Sequence, residues 1–239
     1  MKKITLMTSS ILALGIVGIS TSATNISAAS TSHQTSISNS VDMRDNFEDI
    51  ILDKGEFSSP LTLEKYDYDL NHMPGNFNFE TGKVVIDYSA KVLTDLDGEV
   101  DKYFNLELPS EFYIISEINN GEAMKTAITA ASYHLPGESD PIKFTPAEID
   151  TSHFGKINFT LPKTAVISAD EVINIKIQIY FGQILDDLNY GPDYDYTQLI
   201  PNAASGPYHF KGALTSKNNL EPFPEGVAIG YTDEKQAIQ

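Results

Sequence analysis

The sequence predicts an all-β fold, an antiparallel β-sandwich, behind a cleaved export signal. Three observations predict it. Apolar residues recur at every second position through much of the chain after residue 80. Clusters of Gly, Pro and Asn break these runs at short intervals. No long helical period appears. Strands that alternate apolar and polar bury one face only, which suits antiparallel sheets packed face to face.

The first 29 residues carry the three parts of a signal peptide. Lys2 and Lys3 are its positive start, Ile4 to Ile19 its apolar stretch, and Ser27-Ala28-Ala29 its small-residue cleavage site, with cleavage expected after Ala29. A retained anchor is the weaker reading. Thr5, Thr8, Ser9 and Ser10 leave an apolar core short of the roughly 20 residues that span a bilayer. Ser30 to Ser40 is rich in Ser and Thr and reads as a flexible leader. One β-sandwich domain is expected over 41–239. Its first stretch, Val41 to Leu52, fits either a short amphipathic helix or an irregular lead-in. The polar end, Gly230 to Gln239, shows no wall-sorting motif, so covalent wall attachment is not expected.

Between residues 84 and 93, Val84, Ile86, Tyr88, Ala90 and Val92 share one face, and Asp87, Ser89 and Lys91 share the other. Phe104, Leu106 and Leu108 alternate with Asn105 and Glu107 until Pro109 stops the run. Phe112 to Ile118 is expected to begin another strand. Ile128 to Leu135 and Ile157 to Leu161 follow. In Val172 to Phe181 every second residue is Ile or Phe. Tyr208 to Leu214 and Val227 to Tyr231 complete the set. Short helical turns are expected only in Glu122 to Ala131 and near Ser168 to Asp170. Phe104 to Pro109 is echoed by Ile157 to Pro162, either as an internal duplication or because Pro is a common strand stop.

Three stretches together, Gly82 to Tyr88, Phe104 to Pro109 and Glu111-Phe112-Tyr113-Ile114, resemble the immunoglobulin-like domains of Gram-positive secreted adhesins and matrix proteins. The resemblance covers roughly residues 80–118. It implies an extracellular binding domain at a cell surface or in matrix.

The chain has 239 residues and a formal net charge of −17. Removing residues 1–29 removes Lys2 and Lys3 and no acid, which gives −17 − 2 = −19. Nucleic acid phosphates and anionic lipid repel such a chain, so neither is an expected partner. The absence of Cys excludes disulfides, thiolate metal sites and thioether lipids. Trp is absent too, which leaves the 12 Tyr as candidate sugar-stacking groups.

Calcium is the one cofactor the sequence suggests. It takes six to eight oxygen ligands, and acidic loops rich in Asn and Gly supply them. Asp95, Asp97, Glu99 and Asp101 surround Gly98. A second loop holds Asp186, Asp187, Asn189, Asp193 and Asp195, and a third holds Asp67, Asp69 and Asn71. A solvated acidic surface is the plainer reading of all three. Tyr190, Tyr194 and Tyr196 flank the second loop and are candidate ligand-binding residues, and Tyr66 and Tyr68 stand beside Asp67.

No catalytic residue emerges. The five histidines are scattered, and neither Gly-x-Ser-x-Gly nor His-Glu-x-x-His occurs. Among 33 acids, no pair is marked out for glycoside cleavage. A Lys–Asn self-crosslink needs a desolvated amine, whereas Lys91 and Lys176 lie on polar strand faces. The leading expectation is a secreted, non-enzymatic protein that binds a cell-surface or matrix polymer or protein. A secreted polysaccharide hydrolase and a secreted toxin or host-directed factor are the alternatives.

Overall fold

The computed structural model describes residues 51–63, 82–188, 196–202, 206–218 and 222–233. In chain order the elements are β1 (Asp53–Phe57), β2 (Lys83–Val92), β3 (Tyr103–Glu107), α1 (Tyr113–Ser116), α2 (Glu122–Ala127), β4 (Ile128–His134), β5 (Ile142–Lys143), β6 (Ile149–Asp150), β7 (Lys156–Thr160), β8 (Val172–Tyr180), α3 (Phe181–Leu188), β9 (His209–Thr215) and β10 (Ala228–Tyr231). The strands form two antiparallel five-stranded sheets. The first has the order β1-β2-β8-β4-β5 and the second β10-β9-β3-β7-β6.

Alternation decides which side of each sheet is dry. In the first sheet β2 and β8 run side by side, with Ile86 opposite Ile177 and Tyr88 opposite Ile175. Ile173, Ile175, Ile177 and Ile179 are all buried. Each such side chain stabilises the fold by about 1.5–3 kcal/mol. The second sheet answers with Phe104, Leu106, Ile157, Phe159, Phe210 and Leu214, all buried.

A chain of rings crosses between the layers. Tyr88 lies 4.6 Å from Phe104, and Phe104 lies 6.1 Å from Phe159. Phe144 then joins Phe159 at 5.2 Å to Tyr133 at 4.8 Å, back in the first sheet. Phe57 fits beside Tyr88 because β9 carries Gly212 opposite it. A Cβ on Gly212 would stand 2.7 Å from the Phe57 ring.

The two Leu-Pro motifs are neighbours. β3 pairs with β7 so that Phe104 faces Phe159, Asn105 faces Asn158 and Leu106 faces Ile157. Their similar composition matches their similar surroundings in the middle of one sheet.

One expected strand is helical. Ser110–Phe112 is a 3-10 turn that leads into α1, and the chain then bends through Asn119 and Asn120, at φ 54° and 55°, into Gly121 at φ 86°. Asn and Gly tolerate this left-handed backbone. Phe112 and Ile115 are buried and Ile118 packs against the core, a spacing of three rather than two. Phe112 stacks on Phe181 at 4.3 Å and meets Tyr208 edge-on at 5.1 Å. The Glu111-to-Ile114 part of the adhesin-like pattern is therefore not a strand start. The expected strand Val172 to Phe181 stops one residue early, because Phe181 opens α3. The stretch Ser168 to Asp170 is a turn, with Asp170 at φ 68°.

Candidate functional site

Among the described residues, none packs over the outer face of the first sheet, whose outward side chains are exposed or half-buried. The pleat that buries Ile86 and Ile175 sends their neighbours outward, and strand register arranges those neighbours in rows. One row reads Glu56, Ser89, Asn174 and His134 across β1, β2, β8 and β4. The next reads Asp87, Lys176, Ser132 and Lys143 across β2, β8, β4 and β5. Directly opposed side chains lie within mutual reach. The Ser89 hydroxyl donates to Asn174 Oδ1 at 3.0 Å, and Lys176 Nζ stands 3.1 Å from Asp87 Oδ1. Lys83 Nζ sits over the Tyr180 ring, 5.2 Å from its centre. A shallow cleft of about 390 Å³ opens over Asp87, Ser89, Ser132, His134, Asn174 and Lys176.

This face is basic in an acidic chain. Lys54, Lys83, Lys91, Lys143 and Lys176 lie on it against Glu56 and Asp87. Lys91 pairs with Asp170 at 2.7 Å. Lys54 and Lys143 have no carboxylate partner among the described residues. Lys91 and Lys176 are exposed by 53 % and 65 %. Both side chains lie in water, whereas a crosslinking Lys needs a desolvated amine.

The loop with Asp95, Asp97, Glu99 and Asp101 is more self-contained than its composition suggests. Asp95 Oδ1 accepts a hydrogen bond from the Ala169 N–H at 2.8 Å. Asp97 Oδ1 accepts from the Glu99 N–H at 2.8 Å. Asp101 pairs with Lys163 at 3.3 Å. No three acidic or histidine side chains converge as metal ligands among the described residues. At the second loop, Asp187 is an exposed residue near the end of α3. Asn189, Tyr190, Asp193, Tyr194 and Asp195 lie outside the described residues, as do Tyr66, Asp67, Tyr68, Asp69 and Asn71. Tyr196 is described only by its backbone, which starts the 3-10 turn Tyr196–Leu199.

Sequence reasoning missed Asp53. It points inward from β1 and is 5 % exposed. The Tyr88 hydroxyl donates to Asp53 Oδ2 at 2.6 Å, and the Leu214 N–H of the second sheet donates to Oδ1 at 2.9 Å. Burial pushes the Asp53 pKa up to about 7, against the opposing pull of these hydrogen bonds. Burial raises the Tyr88 pKa too, with the Asp53 charge adding to it. Asp53 lines neither the outer cleft nor the larger one, about 760 Å³, that Ile51, Leu93, Leu96 and Pro224 help to form. It is a tie between two sheets rather than a group presented to a substrate. The signal for it was the inward-facing order Asp53, Gly55, Phe57, in which an acid takes a core position.

No protein-family model and no curated protein matches the sequence. Two solved structures are similar to it at 12 % identity, a BSP domain and a B domain of biofilm associated protein, with TM-scores of 0.35 and 0.33. Each alignment covers 82 % of this chain, which spans 33 % and 49 % of those two chains. Among the described residues no helix is long and apolar enough to cross a membrane.

Proposed function

We propose that this protein is an exported, non-catalytic binding module of immunoglobulin-like type that docks on a cell-surface or matrix partner through the outer face of its first sheet. One observation carries the reading. Among the described residues a broad sheet face stays open and presents rows of Lys, Ser, Asn and His side chains. Such a face offers hydrogen-bond donors and acceptors on a rigid support, which is what recognition of a polymer or a protein surface needs. Residues 1–29 support export, and the tyrosines and acids of residues 187–196 stand as an additional contact region, with Asp187, Asn189, Asp193 and Asp195 as its calcium ligands.

The test is co-sedimentation of the purified mature protein, from Ser30, with intact cells, isolated wall and matrix polymer. Wild type is expected to pellet with at least one of them. The exposed double substitution Lys54→Glu and Lys143→Glu is expected to weaken pelleting about tenfold, a cost of about 1.4 kcal/mol. A protein that stays in the supernatant in every arm sinks the proposal. Equal pelleting of the variant moves the contact off this face. A chelator arm reports on the acids of residues 187–195.

A further inference from the structure

Lys102 precedes β3 and is only 1 % exposed, so its charge has left water. An ammonium has three protons to place. Here its nitrogen has three backbone carbonyls around it: Asp97 O at 2.8 Å, Val100 O at 2.8 Å and Lys163 O at 3.1 Å. Two belong to the acidic loop and the third to the chain that follows β7. The frame around them is fixed by backbone hydrogen bonds. Leu96 and Ile167 exchange a pair at 2.8 and 2.9 Å, and the Leu161 N–H donates to Lys102 O at 2.9 Å. Burial pulls the Lys102 pKa below its usual value, Asp97 and Asp101 oppose that pull, and Lys163 adds to it.

We infer that the loop spanning residues 95–101 is a built cation site whose resident ion is the chain's own Lys102 ammonium. A charge at the centre of three converging carbonyls does what a bound ion does: it neutralises their dipoles and fixes the loop around them. The side-chain carboxylates of Asp95, Asp97 and Asp101 are engaged with other groups, so the site is made of carbonyls. Its size fits the ion. Calcium asks for six to eight oxygens at about 2.3–2.6 Å, whereas this cage holds three at 2.8–3.1 Å from the nitrogen. With Lys102 shortened, the ligand class of the vacated site is a monovalent cation of ammonium size, either ammonium itself or a small primary alkylammonium.

Chemical rescue of the full chain tests this. Lys102→Ala and Lys102→Met are compared with wild type by thermal unfolding in chelator-treated choline buffer. Ammonium, propylammonium (which replaces the atoms from Cγ to Nζ) or calcium is then added. Both variants are expected to lose roughly 5–10 °C of Tm. Ammonium or propylammonium is expected to return at least half of the loss to Lys102→Ala. Neither should help Lys102→Met, whose own side chain fills the space, or wild type. Calcium should raise Lys102→Ala no more than it raises wild type. Absence of any rescue in a folded Lys102→Ala, or rescue by calcium beyond its effect on wild type, overturns the inference. If neither variant folds, nitrogen-15 lysine NMR of wild type decides. A Lys102 ammonium whose protons exchange with water far more slowly than those of exposed lysines supports the cage, and equally fast exchange overturns it.

Discussion

At the scale of single residues, Asp53 couples the fold to pH. Its carboxyl titrates near 7 when folded and near 3.8 when exposed. Between those values the folded chain holds a proton that the unfolded chain releases. This contribution is therefore complete below about pH 4, declines as pH rises toward 7, and is absent above that. Its ceiling is roughly 4 kcal/mol, from about three pKa units at 1.36 kcal/mol each. Asp53→Asn keeps an acceptor for the Leu214 N–H and a donor for the Tyr88 oxygen but cannot titrate. Urea midpoints at pH 5 and pH 8 are expected to differ less in Asp53→Asn than in wild type, with the variant the more stable at pH 8. An unchanged pH 5 to pH 8 difference would show that Asp53 titrates near its ordinary value.

At the scale of elements, how legible a segment was depended on which residues its inward positions carry. β2 and β8 were plain because every inward position is apolar. β1 was not, because its inward residues begin with an acid and a glycine, each there for a neighbour. A Cβ on Gly55 would collide with the Tyr88 hydroxyl that reaches Asp53. α1 was hidden in a dense apolar run in which Phe112, Ile114 and Ile118 keep a two-residue register broken only at Ser116, whereas the residues turned to the core, Phe112, Ile115 and Ile118, follow a spacing of three. The glycine opposite Phe57 gives a direct check on layer packing. Gly212→Ala is expected to destabilise by about 1–3 kcal/mol through overpacking against that ring. Adding Phe57→Leu, which shortens the ring, is expected to recover part of the loss in a double-mutant cycle of urea unfolding. Strictly additive losses would mean that the layers are held apart by other contacts.

At the scale of the whole molecule, the rows of the outer face could not be read locally. Asp87 meets Lys176 only after β2 and β8 pair, and nothing near either residue specifies that pairing. The net charge, by contrast, is a property of composition alone, and it falls toward zero near the sequence pI of about 4.5. Repulsion between copies fades there, while Asp53 has taken up its proton. Light scattering is expected to rise as pH approaches 4.5, with the far-UV circular dichroism of the sheets retained. Loss of the β signal at that pH would show that other buried groups outweigh Asp53.

The form such clusters take depends on how the sheets end. β5 and β6, the outermost strands on one side, are two residues long. They leave little unpaired backbone on which another chain could add a strand. On the other side the chain after β1 acts as a hem. Ser58 N–H bonds to Asp87 O, Leu61 N–H bonds to Tyr231 O beside β10, and Leu63 bridges back to Val84. Crowded copies therefore meet through side chains rather than by extending one another's sheets, and material gathered by acid is expected to disperse when neutrality returns.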